Sequence, residues 1–310
     1  MLVPPRFLTN PEESGRPASM SRLTWNPRYS VCRPGGIPVQ LGRSDDWRRS
    51  FAIEDAWTIW VNDVDRNQWR PFVVGEDLAA RCAVDDDTAG PRLEPQHLPA
   101  AELAALLAAG VVVDPAKQAL DSKRWRISTS RVRERFRKRG YASVDRLLHP
   151  FHIGEMRRYY RRLIRQGGMP LGDYQSSRRY VAHNEPVARF FHLQLTPAIT
   201  QLAGERVKPS YVYLASYLEG AELRKHTDRE QCEISVTFCL DYAPEPESAT
   251  PWPIQLQTRR GQVAIAQSLG EALLYRGCKV PHFRDRLPEG HSSTSIFFHY
   301  VPVDFSGSLA

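Results

Sequence analysis

From Lys208 onward the chain alternates apolar and polar residues with a period of two, the spacing by which a strand turns one face to a core and the other to solvent. The segments SYVYLASYL, CEISVTFCLDY, PIQLQ, GQVAIAQ, EALLYRG and TSIFFHYVPV follow one another between turns rich in Gly, Pro and charge. So many short strands in succession predict an antiparallel sandwich or barrel. Upstream the period changes. Tyr159, Tyr160 and Leu163 fall together on a helix expected from about Ile153 to just before Gly167, with arginines facing water and a short strand leading in. Leu103, Leu106 and Leu107 give one apolar face to a helix across Ala100–Ala109 that Gly110 stops, and the valines after it suit a strand. The first fifty residues, rich in Pro, Gly, Ser and Arg, show no sustained period and predict little regular structure. The division that follows is a loose segment 1–50, an accessory α/β region 51–122, and a mainly β domain 123–310 with flanking helices. No internal repeat is present.

A chain of 310 residues holds one large domain or two ordinary ones. No run approaches the roughly 18 apolar residues of a membrane span, and the N-terminus lacks a signal peptide's apolar core. The expectation is a cytoplasmic protein without a membrane segment. Five cysteines, odd in number and without a CxxC pair, predict free thiols, with Cys232 and Cys239 as packing residues. The net charge of +7 is concentrated: Lys123 to Arg165 carries fifteen basic residues against three acids, which leaves a net −5 for the rest. Such a block suits an acidic partner, against the plainer reading of a solvated helix face.

The stretch LRKHTDRE places His226 and Asp228 two apart, hence on one face if the local structure is a strand. A third donor is available at His282 in KVPHF. Two imidazoles and one carboxylate form the facial set that holds iron(II) and leaves positions open for substrate and oxygen. His149 and His152, three apart and without an acid nearby, read as turn or capping residues. His183, His192 and His299 are assigned no role, and Tyr213 and Tyr275 are core residues or pocket walls.

Tyr217, Gly220, Leu223, His226 and Asp228 match the pattern Y-x-x-G-x-x-L-x-x-H-x-D. With His282 they make the region from about Gly140 to Phe305 resemble the iron(II)- and 2-oxoglutarate-dependent dioxygenases, in their prolyl-4-hydroxylase-like branch. The resemblance implies a double-stranded β-helix (jelly-roll, cupin-like) core, with His226, Asp228 and His282 as iron ligands and 2-oxoglutarate and O2 as cosubstrates. It also implies hydroxylation of an unactivated C–H bond, with release of succinate and CO2. The substrate expected is a peptide or protein side chain, or an amino-acid-like natural-product intermediate.

In that family a basic residue at the start of the last strand, with a hydroxyl two residues on, binds the far carboxylate of 2-oxoglutarate. Here His291 takes the basic position and Ser293 the hydroxyl, on one face with Ser295, and Arg276, Arg284 or Arg286 can supply the missing charge. Tyr217 joins this cofactor-binding set. The presence of Asp228 disfavours the halogenases of the fold, and the lack of arginines after Arg286 disfavours nucleic acid as substrate. The rival reading is a non-enzymatic barrel that binds metal or a partner.

Overall fold

The computed structural model describes residues 23–38, 41, 55–83 and 94–309. It divides into two compact units, Met1–Ile127 and Ser128–Ala310. The first contains strands β1 (Thr24–Trp25), β2 (Tyr29–Cys32), β3 (Trp57–Asp63) and β4 (Gln68–Val74), helices α1 (Glu76–Cys82) and α2 (Ala100–Ala109), and strand β5 (Val112–Val113). β2, β3 and β4 form an antiparallel sheet, and β1 pairs with β5. β1 and β2 lie in the segment where little regular structure is expected; residues 1–22, 39–40 and 42–50 of that segment lie outside the described residues. Gly110 closes α2 at φ 76°, a left-handed conformation that glycine adopts without strain.

Helix α3 (Pro115–Arg139) contains the division between the units. The sequence reading missed it, because RVRERFRKR alternates as a strand would. Its apolar stripe is nonetheless helical. Trp125, Thr129, Val132 and Phe136 are buried at spacings of four, three and four. Pro115 opens the helix and the Asp114 carboxylate accepts from the amide of Ala116 at 2.9 Å.

The second unit continues with β6 (Tyr141–Val144), α4 (Pro150–Arg165), β7 (Arg179–His183) and α5 (Pro186–Ala203), followed by eight strands. These are β8 (Val207–Tyr217), β9 (Leu223–His226), β10 (Ile234–Ala243), β11 (Ile254–Thr258), β12 (Gly261–Ile265), β13 (Ala272–Tyr275), β14 (His282–Arg284) and β15 (Ser292–Pro302). One antiparallel sheet has the order β6-β13-β10-β15-β8-β7, the other β12-β11-β14-β9. From β8 to β15 the chain passes repeatedly between the two sheets, so strands distant in sequence become neighbours. Ile254 and Leu256 of the smaller sheet pack with Leu273 and Tyr275 of the larger one.

α4 begins three residues earlier than expected. His149 caps it, its ring nitrogen accepting from the Phe151 amide, and Pro150 follows in the first turn. Its arginines do not all face water. Arg157 and Arg161 both reach Asp241 on β10, at 2.9 and 2.5 Å. Glu185 caps α5 and also accepts hydrogen bonds from the hydroxyls of Tyr159 and Tyr160, which ties the two helices together.

Candidate metal centre

β9 and β14 run side by side with His226 directly opposite His282. Asp228 lies just past the end of β9, where its amide donates to the carbonyl of Gly277 at 3.0 Å. The three side chains converge. Asp228 Oδ1 is 3.6 Å from His226 Nε2 and 3.5 Å from His282 Nε2. Two ligands about 2.1 Å from a metal and at right angles stand about 3 Å apart, so a small contraction closes this set around a cation.

Both imidazoles are oriented in the same way. His226 Nδ1–H donates to the carbonyl of Arg224 at 2.8 Å, and His282 Nδ1–H to that of Val280 at 3.0 Å. Each Nε2 is thereby left as the lone-pair atom and aimed at Asp228. The other oxygen of Asp228 is held separately, accepting from Ser235 Oγ at 2.9 Å, and Ser235 Oγ in turn lies 3.0 Å from His299 Nδ1. Burial opposes the charge on Asp228, but the two histidines outweigh it and hold the carboxyl well below its ordinary range. Asp228 in return raises the pKa of His226.

The cluster opens into a cavity of about 490 Å³. Tyr211, Tyr213 and Tyr217 enter it from alternate positions of β8, and Phe297 and His299 from β15. Tyr217 lines the cavity as a candidate cofactor residue, its hydroxyl accepting from Arg179 at 2.9 Å. Four other sequence candidates are not brought there. Arg276 follows inward-facing Tyr275 and so points away, its guanidinium held by Glu205 at 2.8 Å and Glu233 at 3.4 Å. Arg286 is exposed beside Gly220, in the turn after β14. His291 Nδ1 is engaged by the Tyr242 hydroxyl at 2.8 Å, and Ser293 is buried opposite Tyr217. Ser293 and Ser295 keep the strand parity expected of them, whereas His291 precedes β15, and the cavity begins further along the strand, at Phe297.

Two other buried groups, neither of them lining the cavity, lack the partners their chemistry calls for. Arg284 stands two residues after His282 on the same face of β14 and is 5% exposed. Its donors reach only the Trp252 carbonyl at 2.6 Å and Gln267 Oε1 at 3.4 Å, and the guanidinium lies 4.5 Å over the Trp252 ring. No carboxylate among the described residues pairs with it, and burial lowers its pKa. Ser295 is fully buried, and its Oγ has no hydrogen-bond partner.

Several residues of the site escaped the sequence reading. Arg179 lies on β7, which gave no recognisable strand pattern, and Ser235 sits in an apolar run that reads as core. His299, set aside for want of a partner, faces Ser235 and Tyr211. Arg229 was available from sequence as the residue following Asp228.

No family model matches this sequence, and no curated protein matches it. Among solved structures the chain is similar to a prolyl-4-hydroxylase from Pseudomonas putida, with 17% identity over 56% of this chain and 98% of that one and a TM-score of 0.46. It is also similar to AviO1 from Streptomyces viridochromogenes Tue57, at 19% identity over 58% and 97% of the two chains with a TM-score of 0.48. A third is HygX from Streptomyces hygroscopicus, solved with nickel, 2-oxoglutarate and hygromycin B, at 12% identity over 55% and 86% with a TM-score of 0.43.

Proposed function

We propose that this chain is an iron(II)- and 2-oxoglutarate-dependent oxygenase that hydroxylates an unactivated C–H bond in a peptide side chain or an amino-acid-like small molecule. The observation that carries the reading is the convergence of His226, Asp228 and His282 at the floor of a cavity, with both imidazoles fixed through Nδ1. A structural metal site is closed by four protein ligands; here three donors meet on one side and the cavity occupies the other. Cys232 falls outside this set, grouping with Asp228 and His299 instead, and its sulfur contacts the Tyr211 hydroxyl at 3.0 Å. The passage of successive strands between two sheets supports the reading of a double-stranded β-helix.

The residues also suit the cosubstrate. Arg284 offers a buried cation without a carboxylate partner and Ser295 a buried hydroxyl without a hydrogen-bond partner, one sheet supplying each, and both are groups that a carboxylate can satisfy. These observations favour Arg284 with Ser295 over His291 as the far-carboxylate anchor in this reading. Bound iron with 2-oxoglutarate and O2 would supply the oxidising power for hydroxylation, with succinate and CO2 as co-products. The chain's own part is to hold Nε2 of both histidines and Oδ1 of Asp228 toward one point, to anchor the anion, and to keep a substrate C–H beside that point.

Addition of iron(II) and 2-oxoglutarate without oxygen should produce a weak visible charge-transfer band. Arg284→Gln should weaken 2-oxoglutarate binding by about tenfold or more, as loss of a charged hydrogen bond does, whereas His291→Ala should leave it nearly unchanged. Absence of the band in the native protein would remove the proposal, and the reverse ranking of the two variants would return the anchor to His291.

A further inference from the structure

We infer that the substrate is an anion, a ring-bearing carboxylate or phosphate monoester whose charged group pairs with Arg229. The inference rests on the iron and 2-oxoglutarate reading above and identifies what that site receives. Arg229 lines the cavity at its exposed side, next to the candidate ligand Asp228. Its side chain is braced. Nε donates to the Tyr211 hydroxyl at 3.3 Å, and the guanidinium carbon lies 4.5 Å over the Tyr211 ring. His183 stacks against the same ring, with centroids 5.1 Å apart and planes 26° from parallel. An arginine held in this way has already lost much of the rotamer freedom that binding would otherwise cost.

What it lacks is a counter-charge. No carboxylate among the described residues forms an ion pair with Arg229. Arg179, in the same cavity, is the contrast: Asp173 accepts from its Nε at 3.1 Å and also from Nη2, and Gln175 and Tyr217 take further donors. Once loaded, the rest of the site is electrically balanced. The iron dication and Arg284 together offset Asp228 and the dianion of 2-oxoglutarate, and Arg179 is offset by Asp173. Among the described residues that line the cavity, Arg229 is the charge left uncompensated, and the remaining walls include Tyr174, Tyr213 and Phe297. Tyr174 is 94% exposed at this rim. Aromatic faces beside one fixed cation suit a molecule with a ring body and a single anionic group.

The test uses metal-free protein, so that it does not depend on iron chemistry. Phenylacetate, phenyl phosphate and neutral phenylacetamide are titrated in parallel by ligand-observed NMR. One anion at least should bind about tenfold more tightly than the amide, and comparison of the two anions separates carboxylate from phosphate recognition. Arg229→Gln should erase the preference and Arg229→Lys should keep part of it, with circular dichroism checking that both variants fold. Equal binding of anion and amide overturns the inference. So does a preference that survives Arg229→Gln and disappears in Arg284→Gln, or failure of both anions to bind at about 10 mM. The charge-transfer band is read on separate samples, so loss of the iron reading and loss of the anion reading are distinguishable.

Discussion

At the scale of single residues, the centre depends on atoms that are missing as much as on those present. A Cβ on Gly277 would fall 2.3 Å from Asp228 Oδ2, 2.4 Å from the Cys232 carbonyl and 2.5 Å from Ser235 Oγ. Gly277→Ala should therefore displace the carboxylate and reduce metal affinity by about 10- to 100-fold, the usual cost of disturbing a ligand's supporting contacts; metal retention after gel filtration is the measurement. His226→Ala and His282→Ala should abolish retention while leaving circular dichroism largely unchanged. Asp173→Ala tests the wall instead, because it leaves the 2%-exposed Arg179 side chain without its ion-pair partner. It should destabilise the protein by about 3 kcal/mol in denaturant unfolding. The convergence of His226, Asp228 and His282 was legible in sequence, because a spacing of two keeps Asp228 near His226 even though Asp228 lies just past the end of β9. Arg284 obeys the same rule relative to His282 and was among the arginines the sequence offered beside His291. Ser235 was not legible, since nothing local separates a serine that orients a carboxylate from one packed among ISVTFCLDY.

At the scale of elements, the alternating tyrosines of β8 and the strands around it were read correctly from their period, whereas α3 was hidden by alternating arginines. Helix α5 carries a second kind of constraint. His192, buried on its inner face, donates from Nε2 to the carbonyl of His299 on β15 at 2.8 Å, and the Tyr300 hydroxyl donates back to the His192 carbonyl at 3.1 Å. Burial holds the His192 pKa down to about 3. The unfolded chain binds a proton near pH 6.5 that the folded chain refuses. The contribution of this residue to stability is thus complete above that pH and lost as pH falls toward 3. Urea unfolding should show about 3 kcal/mol of stability lost through His192 between pH 6.5 and 4. His192→Gln should flatten that part of the profile; an unaltered slope would mean that other groups set it.

Across the whole molecule, the proposed ligands come from β9 and β14, strands far apart in sequence that pair within the smaller sheet, while Ser235 of the larger sheet holds Asp228. No helix among the described residues is long and apolar enough to cross a membrane. Metal binding should accordingly report on the completed second unit: redox-inert zinc at a hundredfold excess over its dissociation constant should stabilise the fold by about 2.7 kcal/mol. Thermal melts would show the rise, and His282→Ala should remove it. The turn from Arg276 to Pro281 gives this dependence an unequal distribution. Its Gly277 carbonyl fixes the amide of Asp228, and its Val280 carbonyl fixes the ring of His282. Lengthening that turn by one residue would misplace two donors at once, whereas an insertion near Glu247 would reach neither. The interval between Asp228 and His282 is therefore elastic over the first part of its course and inextensible over the last, and relatives of this chain that differ in the spacing should carry the difference before Gly277.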